Sequence, residues 1–176
     1  MVQRLAPEKE TEIAIEAIAL YNAQHDQKAY LVIAGDGPAR LDLEALATSL
    51  SAREYVTFLG AVKHSDVPVL YRAADCFVTC SRSETFGLTL AEAIACGTPV
   101  AYPACAVFDE LYREVLPSAW RYDADGAKGA PAALVGALEV ACQSEAKKWV
   151  AANPTDFTWE RAATDLDAQY ADVRPF

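Results

Sequence analysis

Two glutamates, Glu84 and Glu92, lie on either side of a predicted helix start. A strand pattern at residues 76–80 ends in a polar loop that contains Glu84, and a helix pattern that opens at Phe86, Gly87 and Leu88 contains Glu92. The first turn of a helix has unpaired N–H groups and the positive end of the helix dipole, which together favour a diphosphate. Carboxylates accept hydrogen bonds from hydroxyls. The spacing therefore suits a nucleotide sugar, a diphosphate between two polyols. The alternative is that Glu84 only favours the dipole and Glu92 is solvated.

The end of this segment is equally well defined. Gly97 is suited to the left-handed conformation after a last helical turn, and Pro99 blocks continuation of the helix. Residues 84–100 match the pattern E-x-F-G-L-x-x-x-E-A-x-A-x-G-x-P-V without a gap. The match resembles the donor-binding half of retaining glycosyltransferases with the GT-B fold, a family that includes sucrose and glycogen synthases and bacterial lipid glycosyltransferases.

This resemblance implies a role for each part of the motif. Glu92 is expected to bind the ribose of a nucleoside-diphosphate sugar and Glu84 the transferred sugar. The backbone N–H groups of Gly87 and Leu88, beside Phe86, are expected to bind the diphosphate. The family needs no metal or other cofactor, so the donor substrate is the only small molecule that the resemblance implies.

A basic segment near the start of the chain also resembles the family. Arg4 and Lys9 correspond to the Arg and Lys that contact the donor diphosphate, and fixed cations stabilise the charge that develops on a leaving diphosphate. The alternative is a solvated cluster at a helix entry. Gln3 stands where the family has glycine, and we expect its side chain to crowd the backbone against a ligand.

Two glycines follow further predicted strands. Residues 29–34 form an apolar run that ends at Gly35, and residues 56–60 form a second run that ends at Gly60. By resemblance, the Gly35 loop lies beside the nucleotide and the Gly60 segment beside the base. Because backbone groups would contact the base there, the sequence leaves the identity of the base open.

Strand and helix patterns alternate along the chain. This alternation predicts one α/β domain over residues 1–176, Rossmann-like, with a mostly parallel sheet and helices on both faces. Ligands of such folds collect at the carboxyl ends of the strands, where Gly35, Gly60 and Glu84 all lie. We expect strands near 1–4, 29–34, 55–59, 75–80, 99–102 and 119–122. Helices are expected near 9–24, 38–51, 65–73, 86–96, 107–115, 130–150 and 158–172.

Composition narrows the function classes. The 176 residues carry a net charge of −10, which disfavours nucleic acid and anionic lipid as partners. No apolar run reaches the roughly 18 residues of a membrane span, and we expect no transmembrane segment. The five cysteines form no C-x-x-C pair, and we interpret them as reduced residues of an intracellular protein, cytoplasmic or organellar, including plastid, and not secreted.

The resemblance covers only the second of the two domains between which GT-B enzymes form their active site. The acceptor domain is expected on another polypeptide or in a larger assembly, and the isolated chain is expected to have little activity. Three hypotheses stay open: half of an enzyme, a nucleotide-sugar-binding module, or a structural subunit. Trp159 and Tyr170 resemble the family's last helix, or are simply packing aromatics.

Between Tyr102 and Glu110 the resemblance weakens. The family has a Gly-Gly pair before an acid there, and this chain has bulkier residues at 103–109. We expect these residues to hinder a close approach of the backbone to a donor.

Overall fold

The computed structural model describes residues 1–123 and 129–153. These ranges contain five short strands and seven α-helices, and strand and helix alternate as predicted as far as the sixth helix. The predicted helix at 158–172, with Trp159 and Tyr170, lies outside the described residues. In chain order the elements are α1 (Thr11–Gln24), β1 (Leu31–Ala34), α2 (Arg40–Ser49), β2 (Val56–Gly60), α3 (Val67–Ala73), β3 (Phe77–Val78), α4 (Leu88–Ala95), β4 (Val100–Pro103), α5 (Ala106–Tyr112), β5 (Arg121–Tyr122), α6 (Ala130–Ala141) and α7 (Ser144–Ala152).

All strand pairs in the described residues are parallel, which confirms the predicted α/β class. β1 pairs with β2, beginning with Leu31 opposite Val56, and β4 lies between β3 and β5. The structure differs from the predicted mostly parallel sheet in one respect. The strands form a two-stranded and a three-stranded sheet, because no backbone hydrogen bonds join β1 to β3 in the part of the chain that the structure describes.

Two predicted elements differ from the structure. The segment predicted as a strand at 1–4 forms only one parallel bridge, between Val2 and Ala34. It pairs with β1 and with no strand on its other side in the described residues. The predicted helix at 130–150 is two helices, because Gln143 adopts an extended conformation, with φ −72° and ψ 152°, and ends the first. The break allows Trp149 of α7 to pack edge-on against Trp120, with ring centroids 5.2 Å apart.

The core has two parts: the first includes residues from both sheets, and the second packs against the three-stranded sheet. The first contains Leu5, Ile15, Ile33 and Leu134, so α1 and α6 pack against the first sheet and its neighbour. The second is aromatic and contains Tyr102, Phe108, Tyr112 and Trp120, together with Leu90 of α4. This aromatic cluster fixes α4, the helix that carries the Glu92 motif. None of the helices in the described ranges is both long and apolar enough to cross a membrane.

Gly136 lies in the middle of α6 with its α-carbon towards solvent. A Cβ placed there meets no atom within 4 Å. Because glycine loses more backbone freedom than alanine in a helix, we expect Gly136→Ala to raise the free energy of unfolding by about 0.5–1 kcal/mol. Urea denaturation measures this change. A lower free energy of unfolding would show that the position has a close neighbour that the structure does not contain.

Candidate functional site

The predicted diphosphate cation and the predicted sugar-binding acid contact each other. Lys9 Nζ lies 2.7 Å from Glu84 Oε1 and 3.4 Å from Ser81 Oγ. The side chains of Lys9 and Glu84 are 22% and 19% exposed, so the pair lies at the surface but is partly shielded from water. Two of the three ammonium donors of Lys9 are used in these contacts, and one is left for a ligand.

The helix that follows this pair has an open N-terminus. Gly87 is its N-cap residue, with φ 62° and ψ 40°, and no side chain among the described residues caps the helix. The first turn therefore presents N–H groups without side-chain acceptors, which is the arrangement that anions bind. Phe86 and Leu88 flank this turn and are 68% and 61% exposed, so large apolar surface borders the site.

Gly87 lies directly above an aromatic ring. A Cβ placed on Gly87 would be 2.4 Å from Cε1 of Phe108. Phe108 belongs to α5, which begins at Ala106 in the segment where the family resemblance weakens. Phe108 of that segment thus packs against the start of α4.

Glu92 is oriented by a residue that the sequence did not single out. Its Oε2 accepts a hydrogen bond of 3.0 Å from the hydroxyl of Tyr71, on α3. Burial and the nearby Glu92 carboxylate raise the pKa of Tyr71, so it remains a donor. The Tyr71 carbonyl in turn accepts a 2.7 Å hydrogen bond from buried Thr98. Glu92 Oε1 has no hydrogen-bond partner in residues 1–123 and 129–153 and is available to a ligand.

Gly35 and Gly60 meet at the ends of their strands, as the parallel topology predicts. The N–H of Gly35 donates a 2.8 Å hydrogen bond to the carbonyl of Gly60. Beside them, Arg40 bridges Asp36 and Glu44 at 3.1 and 2.9 Å. No hydrogen bond among the described residues joins these glycines to Glu84 or Glu92. The predicted site residues therefore lie in two separate groups at strand ends, one around Gly35 and Gly60 and one around Glu84 and Glu92.

Arg4 is exposed, and its side chain makes no hydrogen bond or ion pair with the residues that the structure describes. The side chain of Gln3 donates a 2.7 Å hydrogen bond to Thr11 Oγ1 at the start of α1. One side-chain N–H of Gln3 is therefore hydrogen-bonded within the protein. Whether its bulk crowds a ligand stays a prediction.

A second basic residue lies near Lys9. Arg82 Nε is 3.6 Å from Glu10 Oε2, and its Nη2 is buried without a hydrogen-bond partner in the described part of the chain. Glu10 itself has φ 49°, a left-handed conformation that is uncommon outside glycine. The sequence analysis missed Arg82 because a single Arg in a polar loop has no distinctive pattern.

Asp109 on α5 and Arg121 on β5 form a bidentate ion pair. The Oδ1 and Oδ2 atoms accept hydrogen bonds of 2.5 and 2.8 Å from Nε and Nη2. Arg121 lowers the pKa of Asp109, so the carboxyl stays ionised. The pair ties α5 to β5 and so stabilises the element that supports Gly87.

Comparisons with known proteins agree with this architecture. A family model described as "Glycosyl transferases group 1" matches residues 1–114. The chain is 40% identical over 99 residues to an alpha-monoglucosyldiacylglycerol synthase of Streptococcus pneumoniae, covering 56% of this chain and 22% of that protein. It is 32% identical over 166 residues to a GDP-mannose-dependent alpha-(1-6)-phosphatidylinositol dimannoside mannosyltransferase of Mycobacterium tuberculosis, covering 93% and 41%.

Among solved structures, the chain resembles Anabaena HepE in complex with UDP and glucose. The TM-score is 0.69 and the identity 26%, over 86% of this chain and 40% of HepE. The chain thus spans less than half the length of these relatives.

Proposed function

Because this chain belongs to the glycosyl transferases group 1 family, we propose that it is the donor-binding half of a retaining glycosyltransferase that transfers a hexose from a nucleoside-diphosphate sugar. The observation that carries the proposal is the Lys9–Glu84 contact, three residues before the open N-terminus of α4. The names of the relatives support the donor class, since one depends on GDP-mannose and another was crystallised with UDP and glucose.

In this proposal each group has a separate task. Lys9, Arg4 and the N–H groups of Gly87 and Leu88 hold the diphosphate and stabilise the charge that it gains as the leaving group. Glu84 holds hydroxyls of the sugar. Glu92, aligned by the Tyr71 hydroxyl, holds the ribose.

The remaining predicted residues form the surroundings of the diphosphate. The strand ends at Gly35 and Gly60 border the nucleotide, and the exposed ring of Phe86 borders the donor. No metal is required, because Lys9, Arg4 and the helix N-terminus supply positive charge. The acceptor comes from a second domain, on this or a separate polypeptide, since sugar transfer needs both substrates held in one geometry.

The Lys9–Glu84 pair also holds both side chains in position before the donor binds. Without ligand, Glu84 holds the Lys9 ammonium beside Ser81. A bound diphosphate uses the remaining donor of Lys9, and the sugar hydroxyls use the remaining lone pairs of Glu84. Both groups therefore keep their mutual contact while the donor binds.

We expect Glu92→Ala and Lys9→Met each to weaken binding of the donor at least about tenfold, because a hydrogen bond to a charged group contributes about 1.5–3 kcal/mol. Calorimetric titration of the full chain with UDP-glucose and with GDP-mannose measures the effect. The comparison between the two donors identifies the preferred base and sugar.

Glu114→Ala is the matched control, since Glu114 is exposed and lies outside the site. It should leave donor affinity unchanged. Equal affinity in the wild type, Glu92→Ala and Lys9→Met proteins would contradict the proposed residue roles.

One observation favours a second candidate function. Lys9 and Glu84 satisfy each other, so the fold is stable without a donor, and a structural subunit of a larger assembly could retain them for that reason. Absence of binding heat with either nucleotide sugar at millimolar concentration would support this candidate over the enzyme.

A further inference from the structure

Two of the five cysteines lie beside each other in the fold. Cys76 directly precedes β3, and Cys142 is the C-cap residue of α6, so the two are far apart in the sequence. Their thiols are close enough to share a hydrogen bond, and both residues border the same cavity. Both are free thiols in the structure. The fold therefore brings together a pair of sulfur atoms that no sequence motif marks.

A neighbouring ion pair joins the same two segments. Lys147 Nζ, on α7, lies 3.0 Å from Oδ1 of Asp75, the residue before Cys76. α7 begins at Ser144, two residues after Cys142. The approach of the two segments therefore does not depend on the thiols alone.

The two thiols differ in environment. Cys142 is exposed, whereas Cys76 is half-buried. Burial raises the pKa of Cys76, and the hydrogen bond with Cys76 lowers the pKa of Cys142. Because the thiolate is the nucleophile in disulfide exchange, Cys142 is suited to react first with a disulfide from solution, and Cys76 is suited to attack the product.

We propose that Cys76 and Cys142 form a site of reversible thiol–disulfide exchange, whose co-substrate is a small-molecule disulfide such as glutathione disulfide. The Cys142 thiolate attacks one sulfur of glutathione disulfide, which forms a mixed disulfide and releases one glutathione thiolate. Cys76 then loses its proton and attacks Cys142 Sγ, and the Cys76–Cys142 bond forms as the second glutathione thiolate leaves. Two electrons pass from the protein to glutathione, and the two glutathione thiolates take up the two protons.

The other three cysteines provide the contrast. Burial raises the pKa of Cys80 to about 12, so its thiol stays protonated and unreactive. Cys96 and Cys105 are half-buried like Cys76. Their reaction with the same disulfide measures how much of the reactivity comes from exposure alone.

Incubation of the full chain with glutathione disulfide at neutral pH, followed by an acid quench and mass spectrometry, tests the proposal. We expect the protein to lose the mass of two hydrogens, and peptide mapping to link Cys76 to Cys142. Cys76→Ser should instead accumulate one glutathione adduct at Cys142, because no second thiol is left to displace it. Cys142→Ser should react at least about tenfold more slowly, since the exposed thiolate is lost. Cys105→Ser is the matched control and should form the link at the wild-type rate.

Three results would overturn the proposal. The first is a stable glutathione adduct at Cys142 of the wild-type protein with no link to Cys76, which would show a single reactive thiol. The second is no reaction of either cysteine in the folded protein, under conditions that modify all five cysteines of the urea-unfolded protein. The third is failure of a dithiol reductant to restore the original mass, which would show irreversible oxidation instead of exchange.

Discussion

Gly35→Ala is expected to lower the free energy of unfolding by about 4 kcal/mol or more, an exceptionally large effect for a single substitution. A Cβ at this position would lie 1.8 Å from the carbonyl oxygen of Gln3, and Gly35 has φ +140°. The obstacle is backbone, so no side-chain rotation relieves it. Relief requires residues 1–3 to move away from β1, which breaks the pairing of Gln3 with Ala34.

Urea denaturation followed by circular dichroism measures the loss. Since domains of this kind are stable by about 5–15 kcal/mol, the variant should be partly unfolded at 37 °C. Gly97→Ala is the matched control, because Gly97 has φ +82° but a methyl group added there would meet no atom within 4 Å. It isolates the conformational cost of about 1–2 kcal/mol. Similar losses in the two variants would refute the steric explanation.

Gly87→Ala should lower the free energy of unfolding by about 3 kcal/mol and also weaken donor binding. The methyl group would lie 2.4 Å from the Phe108 ring, and φ 62° adds a conformational cost. The ring is packed between Tyr102 and Tyr112, so it cannot simply turn away. The start of α4 therefore has to shift, and its N–H groups shift with it.

A double variant separates the clash from the backbone cost. Phe108→Ala alone should cost about 3–5 kcal/mol through the cavity that it creates. Combined with Gly87→Ala, it removes the ring that the methyl group meets, so the loss in the double variant should be smaller than the sum of the two separate losses. Additive losses, or normal donor affinity in Gly87→Ala, would argue against coupling between Phe108 and the helix start.

The two glycine predictions concern different parts of the proposed donor site. Gly35 fixes the strand end that we propose to border the nucleotide, and Gly87 fixes the helix start that we propose to bind the diphosphate. A variant that folds but loses donor binding would link the helix start to function. A variant that only unfolds would report on the fold alone.

Much of the local structure was predictable because its causes are local. The helix at Leu88–Ala95 follows from its apolar periodicity between Gly87 and Gly97, and β4 follows Pro99 directly. The strand ends at Gly35 and Gly60 were predicted from apolar runs that stop at glycine. Parallel pairing followed from the alternation of strand and helix.

The predictions failed where a distant contact decided the outcome. The helix expected over 130–150 breaks at Gln143, and Trp149 then packs on Trp120. No periodicity in the segment marks this break. The strand expected at 1–4 pairs on one side only, because a strand needs partners that its own sequence does not specify.

The sequence alone determined the family motif, the order of the elements and the strand ends at which we propose that a ligand lies. These features depend on hydrophobic periodicity and on turn residues within short stretches of the chain. Only the tertiary structure decided that Lys9 contacts Glu84 and that Tyr71 aligns Glu92. Each of these depends on packing between residues far apart in the chain, whose distance and direction are fixed only when helices and strands close on a shared core.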